Sequence, residues 1–273
     1  VHDTPRPNDK EEIRMDLGIA GRKAIVCASS RGLGRACALK LAEAGCEVTI
    51  NGLDAKRLES TAAELRKATG AKIYAVAGDV ATAEGQKAVF AACPEPDILV
   101  NNNAGPPFRD FRALSRQQML DGVVANMVSA IEMTQKAIDP MVKKKFGRIV
   151  NITSGGVKMP LVGLDLSSGA RAGLTAFLAG VARSVAQHNV TINFLLPGAF
   201  DTDRLRSNIE SNAKKQGISF EQSAAARVAS IPAKRFGTVE EFGATCAFLC
   251  SAQAGYITGQ NLLIDGGTFP GAF

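Results

Sequence analysis

Residues 23–34 read KAIVCASSRGLG, and this stretch decides the fold. KAIVCA (23–28) is a continuous apolar run between Gly21 and Ser29-Ser30, the pattern of a strand covered on both faces in a parallel sheet. CASSRGLG (27–34) follows and opens directly into apolar positions at helical spacing over 33–45, which stop at Gly45. Glycines 32 and 34 let the backbone come close to a pyrophosphate. A helix beginning there offers free N–H donors and the positive end of its dipole. Strand, glycine-bearing turn and helix in that order predict a nucleotide site at the start of a βαβ unit.

The rest of the chain continues the alternation. CEVTIN (46–51), KIYAVAGD (72–79), DILVNN (97–102), RIVNIT (148–153), TINFLLPG (191–198) and NLLIDGG (261–267) read as strands. Helical patterns fall at 54–69, with Asp54 as N-cap and Gly70 beyond the end, at 114–145 with a break or stop near Pro140, at 166–187 and at 239–252. The alternation predicts an α/β protein: one doubly wound parallel sheet, Rossmann-like, with helices on both faces. The domain is expected over 17–273, behind a flexible N-terminal arm at 1–16, with Met15 as a possible translation start. Residues 201–235, rich in Ser, Ala, Arg and Asn, are expected to lie over the carboxyl end of the sheet.

Composition narrows the function classes. Apolar residues are 46% and charged residues 21% of 273, an ordinary globular balance. No run approaches the roughly 18 apolar residues of a membrane span, and the polar start VHDTPRPNDKEEIR is unlike a secretory signal. The net charge of +6 is spread along the chain, and Lys143-Lys144-Lys145 reads as a solvated helix end and not as a nucleic-acid patch. Six cysteines without a CxxC pair read as buried thiols in a reducing, cytoplasmic setting. Two histidines in polar stretches argue against a catalytic metal.

The glycine loop, Asp79-Val80, NNAG at 102–105, Asn126, Ser154, Pro197-Gly198 with Thr202, and GYITGQNLLIDGG (255–267) together resemble the short-chain dehydrogenase/reductase family. The resemblance spans roughly residues 17–271. In that family the loop reads Thr-Gly-x-x-x-Gly-x-Gly; Cys27 and Ala28 replace Thr and the first Gly, and Ala leaves room for close backbone approach. The resemblance implies that Ser29, Ser30, Arg31, Gly32, Leu33 and Gly34 hold the cofactor with Asn51, Val80, Pro197 and Gly198. It also implies that Asp79 meets the adenine, that Asn102, Asn103, Ala104 and Gly105 line the adenosine side, and that Thr202 reaches the nicotinamide end. Because Asn101 precedes this run, the motif is either literal at 102–105 or shifted back by one.

The second strand ends Ile50-Asn51-Gly52-Leu53 with no acid before Asp54, whereas an NAD site needs a carboxylate there for the ribose 2′-hydroxyl. Arg31 is placed to meet a 2′-phosphate. NADP(H) is therefore expected over NAD(H).

The departure lies in NITSGGVKMPLVGLDLSSGARAGL (151–174). The family uses a Ser, a Tyr thirteen positions on and a Lys four further, with an Asn on the preceding helix positioning a water. Ser154 and Asn126 match; Ser167 stands for the Tyr and Arg171 for the Lys. A phenol can be drawn toward neutrality by a nearby cation, but an aliphatic hydroxyl cannot by any comparable shift. Arginine keeps the charge and can hold ribose hydroxyls, yet does not release a proton. Arg171 thus enters both the catalytic and the cofactor set. Lys158 and Asp165 are the titratable alternatives nearby, though a surface lysine and a helix N-terminal acid are the favoured readings of the two.

These residues leave three functions open: an NADP(H)-dependent oxidoreductase of a small carbonyl or alcohol with an altered proton route, a lyase or hydrolase reusing the cleft, and a non-catalytic nucleotide-binding member. A pocket lined from 106–112, 155–165 and 199–212 is expected. Its apolar wall would be offset by Arg109, Arg112, Arg204 and Arg206, leaving room for an acidic substrate. The resemblance further implies a homo-oligomer, a tetramer or dimer, built on 114–139, 166–187 and the last strand.

Overall fold

The computed structural model describes residues 15–272, so most of the expected N-terminal arm lies outside them. Seven strands form one all-parallel sheet: β1 Lys23–Val26, β2 Glu47–Gly52, β3 Ile73–Ala77, β4 Ile98–Asn101, β5 Gly147–Ile152, β6 Val190–Pro197 and β7 Asn261–Ile264. Their order is β3-β2-β1-β4-β5-β6-β7. The nine α-helices among the described residues are α1 Gly32–Glu43, α2 Ala55–Thr69, α3 Ala83–Ala92, α4 Arg116–Val123, α5 Ser129–Lys144, α6 Asp165–Val185, α7 Asp203–Gln216, α8 Phe220–Ala229 and α9 Val239–Leu249.

Alternation along each strand feeds two cores. Ala24 and Val26 join Leu41 of α1, Leu58 of α2 and Phe242 of α9 on one face. Ile25, between them, joins Val89 of α3, Met133 of α5 and Leu174 of α6 on the other. Strands β4 and β5 are buried along their whole length, which is why they read as unbroken apolar runs. All six cysteines are free and buried.

Helix starts follow local chemistry. Asp54 accepts from the Arg57 N–H, Thr82 from Gly85 and Thr202 from Leu205. Reciprocal capping boxes begin α4 (Ser115, Gln118), α8 (Ser219, Gln222) and α9 (Thr238, Glu241). Each such cap satisfies N–H groups that the helix itself cannot.

Three features differ from the sequence expectation. Helix α3 was not anticipated, although Thr82 marks its start. The segment 201–235 holds two helices, α7 and α8. Lastly, the long helical region does not break at Pro140, which sits inside α5. It changes at Val124–Val128 instead, where one turn widens to π geometry around buried Asn126. An exposed Lys136 precedes Pro140 by one turn, leaving room for solvent at the carbonyl that loses its donor.

Ala28, at the family's first glycine, has φ +45. Room was not the whole requirement: this backbone conformation crowds a Cβ against the neighbouring carbonyl. Ala28→Gly is expected to stabilise the protein by about 1 kcal/mol, after the unfolded-state entropy of glycine is deducted. A rise of about 2–4 °C in Tm by differential scanning calorimetry is the corresponding outcome.

Candidate active site

Strand β1 lies between β2 and β4, and the chain's connections leave it in opposite directions. Such a reversal opens a crevice at the carboxyl ends of the strands. The 27–34 loop enters it from β1 and the 101–105 segment from β4. Gly34 makes their junction possible: a Cβ there would stand 2.4 Å from the Ala28 carbonyl oxygen and 3.0 Å from Asn102 Nδ2. Asn102 Nδ2 donates to that same oxygen at 3.2 Å. Helix α1 begins after Arg31 with no side-chain cap, so its first N–H groups remain available to an anion.

Several expected cofactor residues act as braces. Ser29 is fully buried; its hydroxyl donates to Val26 O at 2.7 Å and accepts from the Asn51 N–H at 3.1 Å. Asn51 is buried too, and its carboxamide donates to Val76 O and Gly78 O at 3.0 and 2.9 Å. Both therefore fix the loop to β2 and β3 from behind. Ser30 O accepts from Thr61 at 2.9 Å, and Leu33 packs on the core. Gly198 is close-packed on β7: a Cβ would lie 2.6 Å from Asp265 Cβ. Pro197 ends β6 beside it.

Others reach the crevice. Val80 is buried in its lining, and Asp79 is exposed, with Oδ1 accepting from the Ala81 N–H at 2.8 Å. Thr202 caps α7, its methyl 3.8 Å from where a Gly32 Cβ would be. Arg31 lies 3.6 Å from Asp203 in the first turn of α7, both exposed. Asn103 donates to Ala125 O at 3.1 Å and accepts from the Ala104 N–H at 2.8 Å.

Sequence reasoning named Asn101 only as the start of the shifted register and did not single out Asn151 as a site residue. The two are buried at the ends of β4 and β5, and Asn101 Nδ2 donates to Asn151 Oδ1 at 3.0 Å. The triple asparagine was the available signal for Asn101. Asn126 Nδ2 donates to Gly122 O at 3.1 Å. The Oδ1 atoms of Asn101 and Asn126 have no protein donor, and both residues line a cavity of about 20 Å³ with Cys27, Ser129 and Arg171. That is the space of one water molecule. Burial pushes the Cys27 thiol up to about 12, so it stays neutral.

Ser154 is half-buried and accepts from the Gly156 N–H at 3.0 Å. Gly156 leaves space between two hydroxyls: its Cβ position is 3.2 Å from Ser154 Oγ and 2.9 Å from Ser168 Oγ. Arg171 is 7% exposed. Its guanidinium donates to Ile152 O at 2.7 Å, Ser167 Oγ at 3.3 Å and Asn103 O at 3.5 Å. Desolvation, with a smaller effect of Arg204, lowers its pKa to about 10. Among the described residues no carboxylate pairs with it. It remains a buried cation at neutral pH, held by neutral oxygens.

The alternative proton carriers are otherwise engaged. Asp165 is exposed and accepts from the Gly163 N–H at 3.1 Å at the start of α6. Lys158 lies over the Phe269 ring at 5.9 Å. Tyr256 is fully exposed and Tyr74 sits in β3. Beside the crevice is a cavity of about 260 Å³, lined by residues from the 104–109 loop, from α4 and the wide turn after it, and by Gly163, Leu164 and Leu166. It overlaps the expected lining at Pro106, Pro107, Arg109, Gly163 and Leu164 but takes none from 199–212. No group of three or more potential metal ligands occurs among the described residues.

Comparison with known proteins agrees with this geometry. Residues 27–268 match the family model described as enoyl-(acyl carrier protein) reductase. The NADPH-dependent reductase BacG of Bacillus subtilis is 34% identical over 253 residues, spanning 90% of this chain and 97% of the relative. The 3-oxoacyl-[acyl-carrier-protein] reductase of Aquifex aeolicus is 33% identical over 262 residues, covering 93% of this chain and all of its own. The structure of L-sorbose reductase from Gluconobacter frateurii, complexed with NADPH and L-sorbose, superposes with a TM-score of 0.89 at 27% identity, over 94% of this chain and 100% of that one. With its glycine loop at the switch point of a parallel sheet and these relatives along nearly its whole length, the chain belongs to the short-chain dehydrogenase/reductase family.

Proposed function

We propose that the protein is an NADP(H)-dependent oxidoreductase acting on a small carbonyl or alcohol substrate. The observation that carries this reading is the glycine loop, where an uncapped helix start and the close approach of Gly34 to Ala28 prepare a pyrophosphate site. NADPH-dependent relatives support the cofactor. The NADP choice is supported by β2 ending without a ribose-binding acid. Asp54 caps α2 instead, and Arg31 stands exposed at the loop. Gly32, Gly34, Asp79, Asn102 to Gly105, Thr202 and Arg171 would line the cofactor, which when bound supplies or accepts a hydride.

The chain's own groups then divide the remaining work. Ser154 orients the carbonyl. Arg171 supplies fixed positive charge where negative charge develops on oxygen, a contribution that needs no proton of its own. Ser167, which accepts from Arg171 Nε, holds that guanidinium in place. The proton comes from water in the Asn101–Asn126 cavity or from bulk solvent. Apolar side chains exposed on α4 and α6 (Met119, Leu120 and Phe177) and on edge strand β7 (Leu262) support a homo-oligomer.

Two experiments test the reading. Desolvation lowers the Arg171 pKa only to about 10, so the guanidinium keeps its charge across the neutral and mildly alkaline range. With no phenol in the site and a guanidinium that stays charged, kcat/KM is expected to be flat from about pH 6 to 9; a titration near neutrality would contradict this assignment. NADPH oxidation with a panel of ketones gives the second test, with stereospecific hydride delivery to at least one expected. If NADPH binds and no compound is turned over, while Ser167→Tyr with Arg171→Lys gains activity, the protein is instead a non-catalytic nucleotide binder.

A further inference from the structure

Arg171 is not the only unpaired cation at this crevice. Arg204, in the first turn of α7, donates to Gly105 O at 3.4 Å and Pro106 O at 3.5 Å, while Arg171 donates to Asn103 O on the same loop. Two guanidinium groups thus hold carbonyls two residues apart. The Arg204 guanidinium packs close to Gly105, where a Cβ would stand 3.0 Å from Nη2 and 3.3 Å from Nη1 and push the side chain by a few tenths of an ångström. Burial lowers the pKa of Arg204 even though the residue as a whole is exposed.

The nearby acids are committed elsewhere. Asp201 pairs with Arg206 at 2.9 Å and Asp203 with Arg31; among the described residues neither Arg171 nor Arg204 has a carboxylate within ion-pair distance. Two like charges that influence one another without a counter-ion disfavour one another, and a carboxylate bound at Arg204 relieves that repulsion. Planar guanidinium groups suit a carboxylate because they present parallel N–H donors.

We infer that Arg204, with Arg171 behind it, recognises a carboxylate on the substrate, so that the carbonyl compounds taken by this site are short oxo acids. The inference deepens the oxidoreductase reading and rests on it for the word substrate. A 2-oxo acid presents a carbonyl and a carboxylate on adjacent carbons, matching one cation for each.

The test is calorimetric titration of 2-oxobutyrate and of butanone, which differ in the carboxylate, into the full-length protein with and without saturating NADP⁺. The acid is expected to bind at least about tenfold more tightly, as a charge-assisted pair implies, with the preference falling at high salt. In Arg204→Gln the preference closes to within about twofold, and in Arg204→Lys it returns in part. Arg204 is exposed, so an unchanged Tm verifies that the variants fold. Equal affinities for the two compounds, including no measurable binding of either, overturn the inference. So does an Arg204→Gln protein that keeps its preference while losing NADPH affinity by fluorescence titration, because Arg204 then serves the cofactor. If NADPH fails to bind the unaltered protein, the oxidoreductase reading falls, whereas the acid–ketone comparison without nucleotide still decides the carboxylate site.

Discussion

The carbonyl oxygen of Ala28 fixes the crevice just beyond the point where the β1–β4 pairing ends. It receives the Asn102 side chain from β4 and presses against Gly34 at the start of α1. The β1–β4 ladder ends at this level with the Cys27 N–H donating to Val100 O at 3.0 Å. Beyond it one polar contact and one missing Cβ set the crevice wall. Ser29 and Asn51 lock the same loop from the β2 side, and the crevice inherits its shape from these fixed walls. Backbone rigidity of this kind lets N–H groups face an anion without reorganising when it arrives.

Across the crevice, Ser167 and Arg171 stand where the family resemblance implies Tyr and Lys, and on the proposed reading this changes what the site can do. A phenol–lysine pair carries a proton that can be given away; a hydroxyl beneath a guanidinium carries a charge that stays. The structure keeps that charge buried and hydrogen-bonded to the end of β5, the 101–105 segment and its own helix. On the proposed reading, loss of an acid accompanies gain of a permanent electrostatic feature.

Much of this was legible in the sequence. The sheet was readable because parallel central strands announce themselves as unbroken apolar runs, and the nucleotide crevice because Gly32 and Gly34 follow the first of them. Residue types alone could not separate residues that line a site from those that support it. Asn51 and Ser29 carry the chemistry of ligand contacts but point into the sheet, where they satisfy backbone groups. Helices α7 and α8 were obscured because they are polar and half-exposed, so their apolar periodicity is weak. The pairing of Arg31 with Asp203 joins residues distant in sequence and had no local signal.

The wide turn at Val124–Val128 sets a phase within one long rod. Helices α4 and α5 are continuous through it, yet the added backbone atoms rotate everything on one side by roughly a quarter turn or more relative to the other. Asn126 is thereby buried at the crevice while Met133 and Met141, further along, still face the sheet. A regular helix of the same composition would satisfy its own hydrogen bonds equally well but could align only one of these faces. Removing a single residue here would leave the rod intact and put its two ends out of step.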